Sequence, residues 1–332
     1  MPTIRKEPMP SARLLLLAFL PAVTGCVVIP IGDLLKGPAL GEQILTEGRG
    51  IFAKDKVAVI EIEGMIRGDE SSHLLLAHEN TVAETRSRFD MVRADPEVKA
   101  VVLKIASPGG EVTACDVIHQ ELLRFKAEKK VPVVACILDH GTSGAYYIAV
   151  AADSVIAHPT SVIGSIGVLL DHFDLSGLLE KIGVGVSPIK SGEKKDLNSL
   201  FRPMTADEHQ LLQKLVNDMY ERFVTVVDEG RPALNKDEVR ALADGRVVSG
   251  VEAASLKLVD GLGYLPDAIT VAAKAAGIES PTIVHYTRIA RSGANIYSQG
   301  MPGSPTAGDV NLNVTARLFS TPMLYYLWRP GF

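Results

Sequence analysis

Ser143 stands in the run Asp139-His140-Gly141-Thr142-Ser143-Gly144-Ala145-Tyr146-Tyr147. Val131 to Leu138 reads as a buried strand, and Tyr146 to Ala152 as the first turns of a helix. A serine at such a junction holds its hydroxyl near free backbone N–H groups, which favour developing negative charge. The chemistry this suggests is nucleophilic, and a serine nucleophile needs a base. His140 is three residues upstream with Asp139 beside it, the composition of a triad. Side chains that close on a tight turn seldom reach one another, so His140 reads better as a turn histidine. Residues 141–145 are Gly-Thr-Ser-Gly-Ala rather than a Gly-x-Ser-x-Gly elbow. Lysine is the other base to consider, and Ile189-Lys190-Ser191-Gly192-Glu193-Lys194-Lys195-Asp196-Leu197 offers three. A base lysine must be neutral, so its pKa must fall from about 10.4 toward about 8. On residue type alone this stretch is a solvated basic loop. A zinc site from His140, His158, His172 and Asp171 lacks any His-x-x-x-His pair.

The elements around these residues alternate. Strands are expected at Val57–Ile62, Val98–Ala106, Val131–Leu138, Ser154–Ala157 and Ile283–Tyr286. Amphipathic helices are expected at Thr81–Arg93, Val112–Lys126, Thr205–Asp228, Asn235–Ala243, Val251–Leu256 and Asp267–Ala276. Thr205 with Glu208 three residues on forms a capping box. Strands that alternate with helices indicate an α/β fold with a largely parallel sheet.

The chain has 332 residues, 47% of them hydrophobic and 22% charged, enough for a large buried core. Its net charge of −5 argues against nucleic acid as a partner. Cys26, Cys115 and Cys136 show no zinc spacing. Cys115 falls in a helix and Cys136 in an apolar strand, so both are expected as buried free thiols.

Arg5, Lys6 and Arg13 precede the apolar run Leu14 to Val23, which is short for a span and reads as a signal segment. It ends in Val23-Thr24-Gly25-Cys26. This resembles the lipobox of bacterial lipoproteins, which implies cleavage before Cys26 and its acylation. The expected organisation is a signal peptide over 1–25, a tether over 26–54, a folded domain over 55–286 and a poorly ordered tail over 287–332.

Further short motifs lie in order along the chain: Ser107-Pro108-Gly109-Gly110, Thr142 to Tyr147, Gly164-Ser165-Ile166-Gly167-Val168, Ile189-Lys190-Ser191-Gly192 through Lys195-Asp196, and Phe201-Arg202-Pro203-Met204-Thr205. Asp244-Gly245-Arg246-Val247 and Leu258-Val259-Asp260-Gly261-Leu262-Gly263 complete the set. In order and spacing it resembles the signal peptide peptidase A family of Ser/Lys proteases, single-domain short form. The similarity runs over roughly residues 55–285.

The resemblance implies a Clp-protease/crotonase-like α/β fold of repeated ββα units. It makes Ser143 the nucleophile, Lys195 the general base and Ser165 the residue that orients the lysine amine. Gly109, Gly110 and Gly144 become the oxyanion hole. It also implies homo-oligomeric rings in which Ser143 meets Lys195 of a neighbour. The substrates expected are remnant signal peptides or other membrane-associated or unfolded peptides, with no cofactor. The place expected is the bacterial envelope, with the enzyme lipid-anchored and periplasm-facing. Ala145 stands where the family often has a second glycine. The rival readings are a catalytically silent lipoprotein scaffold and a crotonase-fold acyl-thioester enzyme.

Overall fold

Runs of β-branched residues interrupted by amphipathic stretches fold into a nine-stranded sheet with helices on both faces. The structure is a computed structural model that describes residues 40–50, 54–68, 71–73, 76–78, 81–287 and 324–328. The signal segment and Cys26 lie outside the described residues.

The elements, in chain order, begin with β1 (Gly41–Thr46), β2 (Lys56–Glu63), β3 (Ser71–His73), β4 (Leu76–His78), α1 (Thr81–Ala94) and β5 (Val98–Ser107). Next come β6 (Gly109–Glu111), α2 (Val112–Lys129), β7 (Val133–Thr142), α3 (Gly144–Ala149), β8 (Ser154–Ala157), β9 (Val162–Gly164), β10 (Leu169–Leu170) and α4 (Ser176–Lys181). A single 3-10 turn, Glu193–Asp196, precedes α5 (Ala206–Gly230) and α6 (Lys236–Leu242). The rest are β11 (Val247–Ser249), α7 (Gly250–Ser255), β12 (Gly261–Leu262), α8 (Leu265–Ala275), β13 (Thr282–Thr287) and β14 (Leu324–Leu327).

The main sheet runs β1-β13-β2-β5-β7-β8-β12, with β9 paired to both β7 and β11. Among the described residues of this sheet, only the β1·β13 and β9·β11 pairs are antiparallel. The α/β, Clp-protease/crotonase-like expectation therefore holds. Central strands buried on both faces read as nearly continuous apolar runs. Ile60, Leu103 and Ile137 face a large core shared with α1, α2 and α3, while Val59, Val102 and Cys136 face a smaller one under α8. Both Cys115 and Cys136 are free and buried, as expected. Burial pushes the Cys136 thiol up to about 12. On the smaller-core side Lys104 is 3% exposed and sits 2.8 Å from Glu61, with His285 against the other Glu61 oxygen at 3.2 Å.

Two parts of the expected organisation change. Within the expected tether, Gly41–Thr46 forms β1, because β13 otherwise presents an open edge and β1 caps it. Within the expected disordered tail, Leu324–Leu327 forms β14 between β10 and β6. Tyr326 is fully buried there, which supplies the apolar anchor that holds so short a strand.

Candidate active site

β7 carries the site, and it does so by changing partners. Val134 to Ile137 pair with β8, whereas His140 to Thr142 pair with β9. The strand thus runs four residues past Leu138, and Ser143 follows it directly. The change of partner also puts Thr142 opposite Gly164, so that Ser143 and Ser165 emerge side by side. The Ser143 N–H donates to the Gly164 carbonyl at 2.7 Å, and the Ser165 N–H donates to Arg246 at 2.6 Å.

Ser143 has φ 54° and ψ −120°, a region that L-residues seldom occupy. Such a conformation costs about 1–3 kcal/mol and persists only where its surroundings hold it. Ser143 is 1% exposed, and its Oγ has no hydrogen-bond partner among the described residues. Ser165 likewise has a positive φ, 51°, and is 8% exposed.

Of the three glycines of the expected oxyanion hole, Gly109 and Gly144 lie together beside this serine, and Gly110 lies against Ile66. A Cβ on Gly109, where φ is +94°, would lie 2.7 Å from the Gly144 nitrogen. A Cβ on Gly110 would lie 1.9 Å from the Ile66 carbonyl oxygen. Ile66 clamps this loop: its N–H donates to Gly109 O at 2.9 Å, and its own carbonyl accepts from Glu111 N–H at 2.9 Å. A Cβ on Gly144 would meet Cys115 Sγ at 2.3 Å. Side chains are thus excluded where close backbone approach is needed. Burial pushes the Cys115 thiol well above its ordinary range.

Lys195 is not brought to Ser143. Residues 180–195 are all exposed, and among the described residues no hydrogen bond or ion pair joins the two side chains. The segment around it is nonetheless organised. Arg202 bridges Asp196 and Glu208, and Lys190 donates to Asp196 at 2.8 Å. Arg202 and the Thr205 N–H hold the Glu208 carboxyl at about 2. Lys194 reaches Asp207 at 3.5 Å. Among the described residues, Lys195 makes no such ion pair.

His140 bonds Asp139 at 2.8 Å, not Ser143. The zinc candidates disperse: His158 bonds Thr160 and His172 bonds Asn198. No group of three or more metal-ligating side chains occurs among the described residues.

With this geometry in place, the comparisons decide the family. A model described as Peptidase family S49 matches residues 125–279. The Enterococcus faecium protein named "Putative signal peptide peptidase SppA" is 31% identical over 245 residues, 74% of this chain and 70% of that protein. The chain belongs to peptidase family S49. A Methanocaldococcus jannaschii protein provisionally named a protease is 39% identical over 198 residues, 60% of this chain and 63% of its own length. "Serine protease SPPA, chloroplastic" of Arabidopsis thaliana is 33% identical over 262 residues, 76% of this chain but 37% of that protein. The chain thus spans just under two thirds of the Methanocaldococcus relative and little over a third of the chloroplast one. Family S49 and its relatives' names put the chain among serine peptidases, in agreement with the resemblance drawn from its motifs.

Two contributors escape the motif reading. Cys115 backs Gly144, and its only sequence signal is an apolar position on an amphipathic helix. Tyr326 lies in an aromatic run, Leu318 to Trp328, that has no period long enough to assign.

Proposed function

We propose that this S49 chain is a serine endopeptidase in which Ser143 attacks the scissile carbonyl and Lys195 acts as base. The observation that carries this is the partnerless, buried Ser143 hydroxyl, held in a strained backbone beside Ser165 and the Gly109, Gly110 and Gly144 backbones. A neutral Lys195 amine takes the Ser143 proton as Oγ bonds to the carbonyl carbon. The Gly110 and Gly144 N–H groups receive the oxyanion. One such donor lowers the barrier by about 3 kcal/mol. The lysine ammonium then protonates the departing amine, and a water activated by the same amine hydrolyses the ester. Ser165, next to Ser143, orients the amine.

The lysine comes from a second copy. Support comes from the contrast between a buried Ser143 and an exposed Lys195, and from the surface around that lysine. Phe173, Leu178, Ile182, Val184, Val186 and Ile189 are all exposed. Exposed apolar side chains gathered in one segment of the chain, residues 173–189, suit an association surface. A ring of such copies completes each site with its neighbour's Lys195.

The chain is anchored through acylated Cys26 at the periplasmic side of the bacterial envelope. Among the described residues no helix is long and apolar enough to cross a membrane. Its substrates are remnant signal peptides and other unfolded or membrane-associated peptides. The E. faecium relative's name points the same way.

Mixing Ser143→Ala with Lys195→Ala subunits tests the reading. Co-assembled mixtures recover part of the casein-cleaving activity that each variant lacks, and a serine-reactive probe labels only subunits that keep Ser143. Failure of the probe to label an assembled wild-type chain, together with no cleavage, would leave the scaffold reading.

A further inference from the structure

We infer that His172 and Asn198 are positioning residues for the base: they lock the neck of the exposed loop that carries Lys195, and so set where that amine meets Ser143 of the neighbouring copy. This rests on the peptidase reading with a lysine supplied by a second copy.

Five non-glycine residues among those described have a positive φ. Ser143 and Ser165 belong to the site. Lys130 and Lys257 follow helices α2 and α7, where left-handed residues are common. Asn198 is the fifth, at φ 63°, and it closes no α-helix. It lies three residues past Lys195. A sparsely populated backbone away from helix ends persists where its surroundings hold it.

The Asn198 side chain supplies that hold. Its Nδ2 donates to the Asp171 carbonyl at 3.3 Å, which leaves the amide oxygen to accept from His172 Nδ1–H at 2.7 Å. Beside this pair the Leu175 N–H donates to the Leu200 carbonyl at 2.8 Å. Three bonds thus join 171–175 to 198–200, and the chain between them makes an excursion in which residues 180–195 are all exposed. These bonds are the neck of the loop. Asparagine suits the place on two counts: it tolerates the left-handed backbone, and its amide both donates and accepts.

Lys195 is tied to the neck through successive turns. The Lys195 N–H donates to Gly192 at 3.1 Å, the Leu197 N–H to Lys194 at 3.2 Å and the Ser199 N–H to Asp196 at 3.1 Å. A shift at Asn198 is therefore passed to the lysine. Arg202, bound to Asp196 and Glu208, fixes the same turn against α5. A single bridge would leave the turn free to pivot; the neck adds a second support, on the segment that follows β10. Proton transfer tolerates little error, since a misplacement of about 1 Å costs about 10²-fold in rate.

The test uses co-assembled mixtures. The copy that supplies the lysine is Ser143→Ala, and the copy that supplies the serine is Lys195→Ala. His172→Ala is added to one or the other. On the lysine-supplying copy it is expected to lower kcat for casein at least about tenfold, with KM within about twofold. On the serine-supplying copy it is expected to leave the recovered activity unchanged, because the loop it loosens carries no base there. His172→Asn, whose amide N–H can take the place of Nδ1–H, is expected to restore most of the loss. Asn198→Gly keeps the backbone conformation and removes both side-chain bonds, and is expected to match His172→Ala. An effect of equal size from either copy, or from the serine-supplying copy alone, overturns the inference and makes the neck a support of its own chain's Ser143. Full activity of either His172→Ala or Asn198→Gly on the lysine-supplying copy also overturns it. Failure of both variants to assemble would make the neck part of the contact between copies and overturns it as well. An unmodified pair that recovers no activity removes the shared-site reading itself, and this inference with it.

Discussion

The Ser143 N–H donates to the carbonyl oxygen of Gly164 at 2.7 Å, continuing the ladder in which Thr142 faces Gly164. This bond fixes the distance between the nucleophile candidate and Ser165, one residue past Gly164. It also helps to hold Ser143 at φ 54°, and that strain leads to the first prediction.

Ser143→Ala keeps the disfavoured backbone, whereas Ser143→Gly relieves it. Both remove the hydroxyl, so both are inactive. The glycine variant is expected to be more stable than the alanine variant by about 1 kcal/mol. Denaturant midpoints of the two proteins check this. An alanine variant as stable as the glycine variant would mean that the turn is not strained.

Gly144→Ala pushes a methyl into Cys115 Sγ, which lies 2.3 Å from the built Cβ. Overpacking of this kind costs about 1–3 kcal/mol. Cys115→Ala removes the sulfur and opens the space. A double-mutant cycle is therefore expected to show that the pair costs less than the sum of the single changes, by at least about 0.5 kcal/mol. Additive costs would show that some other group resists the methyl.

His119 is 4% exposed, its Nδ1 has no partner among the described residues, and its ring packs edge-on against Tyr147. Burial lowers its pKa from 6.5 to about 4; Asp116 opposes the shift, while Arg222 and Lys126 add to it. Between these two values the unfolded chain binds the proton and the folded chain does not, so stability falls as pH drops through that window. The full contribution of this depressed pKa is about 3 kcal/mol. Thermal melts from pH 7 to pH 4.5 should fall more steeply for the wild type than for His119→Gln. Parallel curves would remove His119 as the cause.

Arg202 ties Asp196 to Glu208 and so fixes the segment that presents Lys195. Arg202→Gln is expected to lower kcat on the order of 10²-fold through displacement of that segment, with KM little changed. Arg202→Lys should rescue only part of this, because an ammonium cannot bridge two carboxylates with a planar fork. A rise in KM at constant kcat would instead make Arg202 a substrate-binding residue.

Glu61 neutralises Lys104 inside the smaller core and is itself held at about 2; burial opposes this, and His285 and Lys104 overcome it. Glu61→Ala leaves the buried Lys104 ammonium with Glu63 alone, at 3.2 Å, and is expected to cost about 3 kcal/mol. Glu61→Ala combined with Lys104→Met should recover most of that loss. Equal stability of the single and double variants would show that Glu63 alone satisfies Lys104.

The sheet was legible because β2, β5 and β7 are buried on both faces and therefore apolar throughout. The pairing of Ser143 with Ser165 was legible only through motif order, since the change of β7 from β8 to β9 leaves no local mark. That change also explains why the sequence reads as a strand ending at Leu138: Asp139 and His140 are polar and lie beyond the apolar core. β1 and β14 escaped for a related reason. Gly41–Thr46 is an exposed edge strand with little apolar contrast. Leu324–Leu327 is four residues long and stabilised by one buried ring and by partners more than 150 residues away in sequence. Lys195 could be named from its motif, yet no periodicity reveals that the whole stretch 180–195 is exposed.

The seating of β14 has a consequence for measurement. A strand joined to the domain it occupies competes with any added ligand at an effective concentration on the order of millimolar. A groove-directed inhibitor assayed on the full-length chain therefore works against an internal rival. Its apparent affinity should improve in a chain shortened to end before Leu324, so the length of the chain assayed sets the potency read from it.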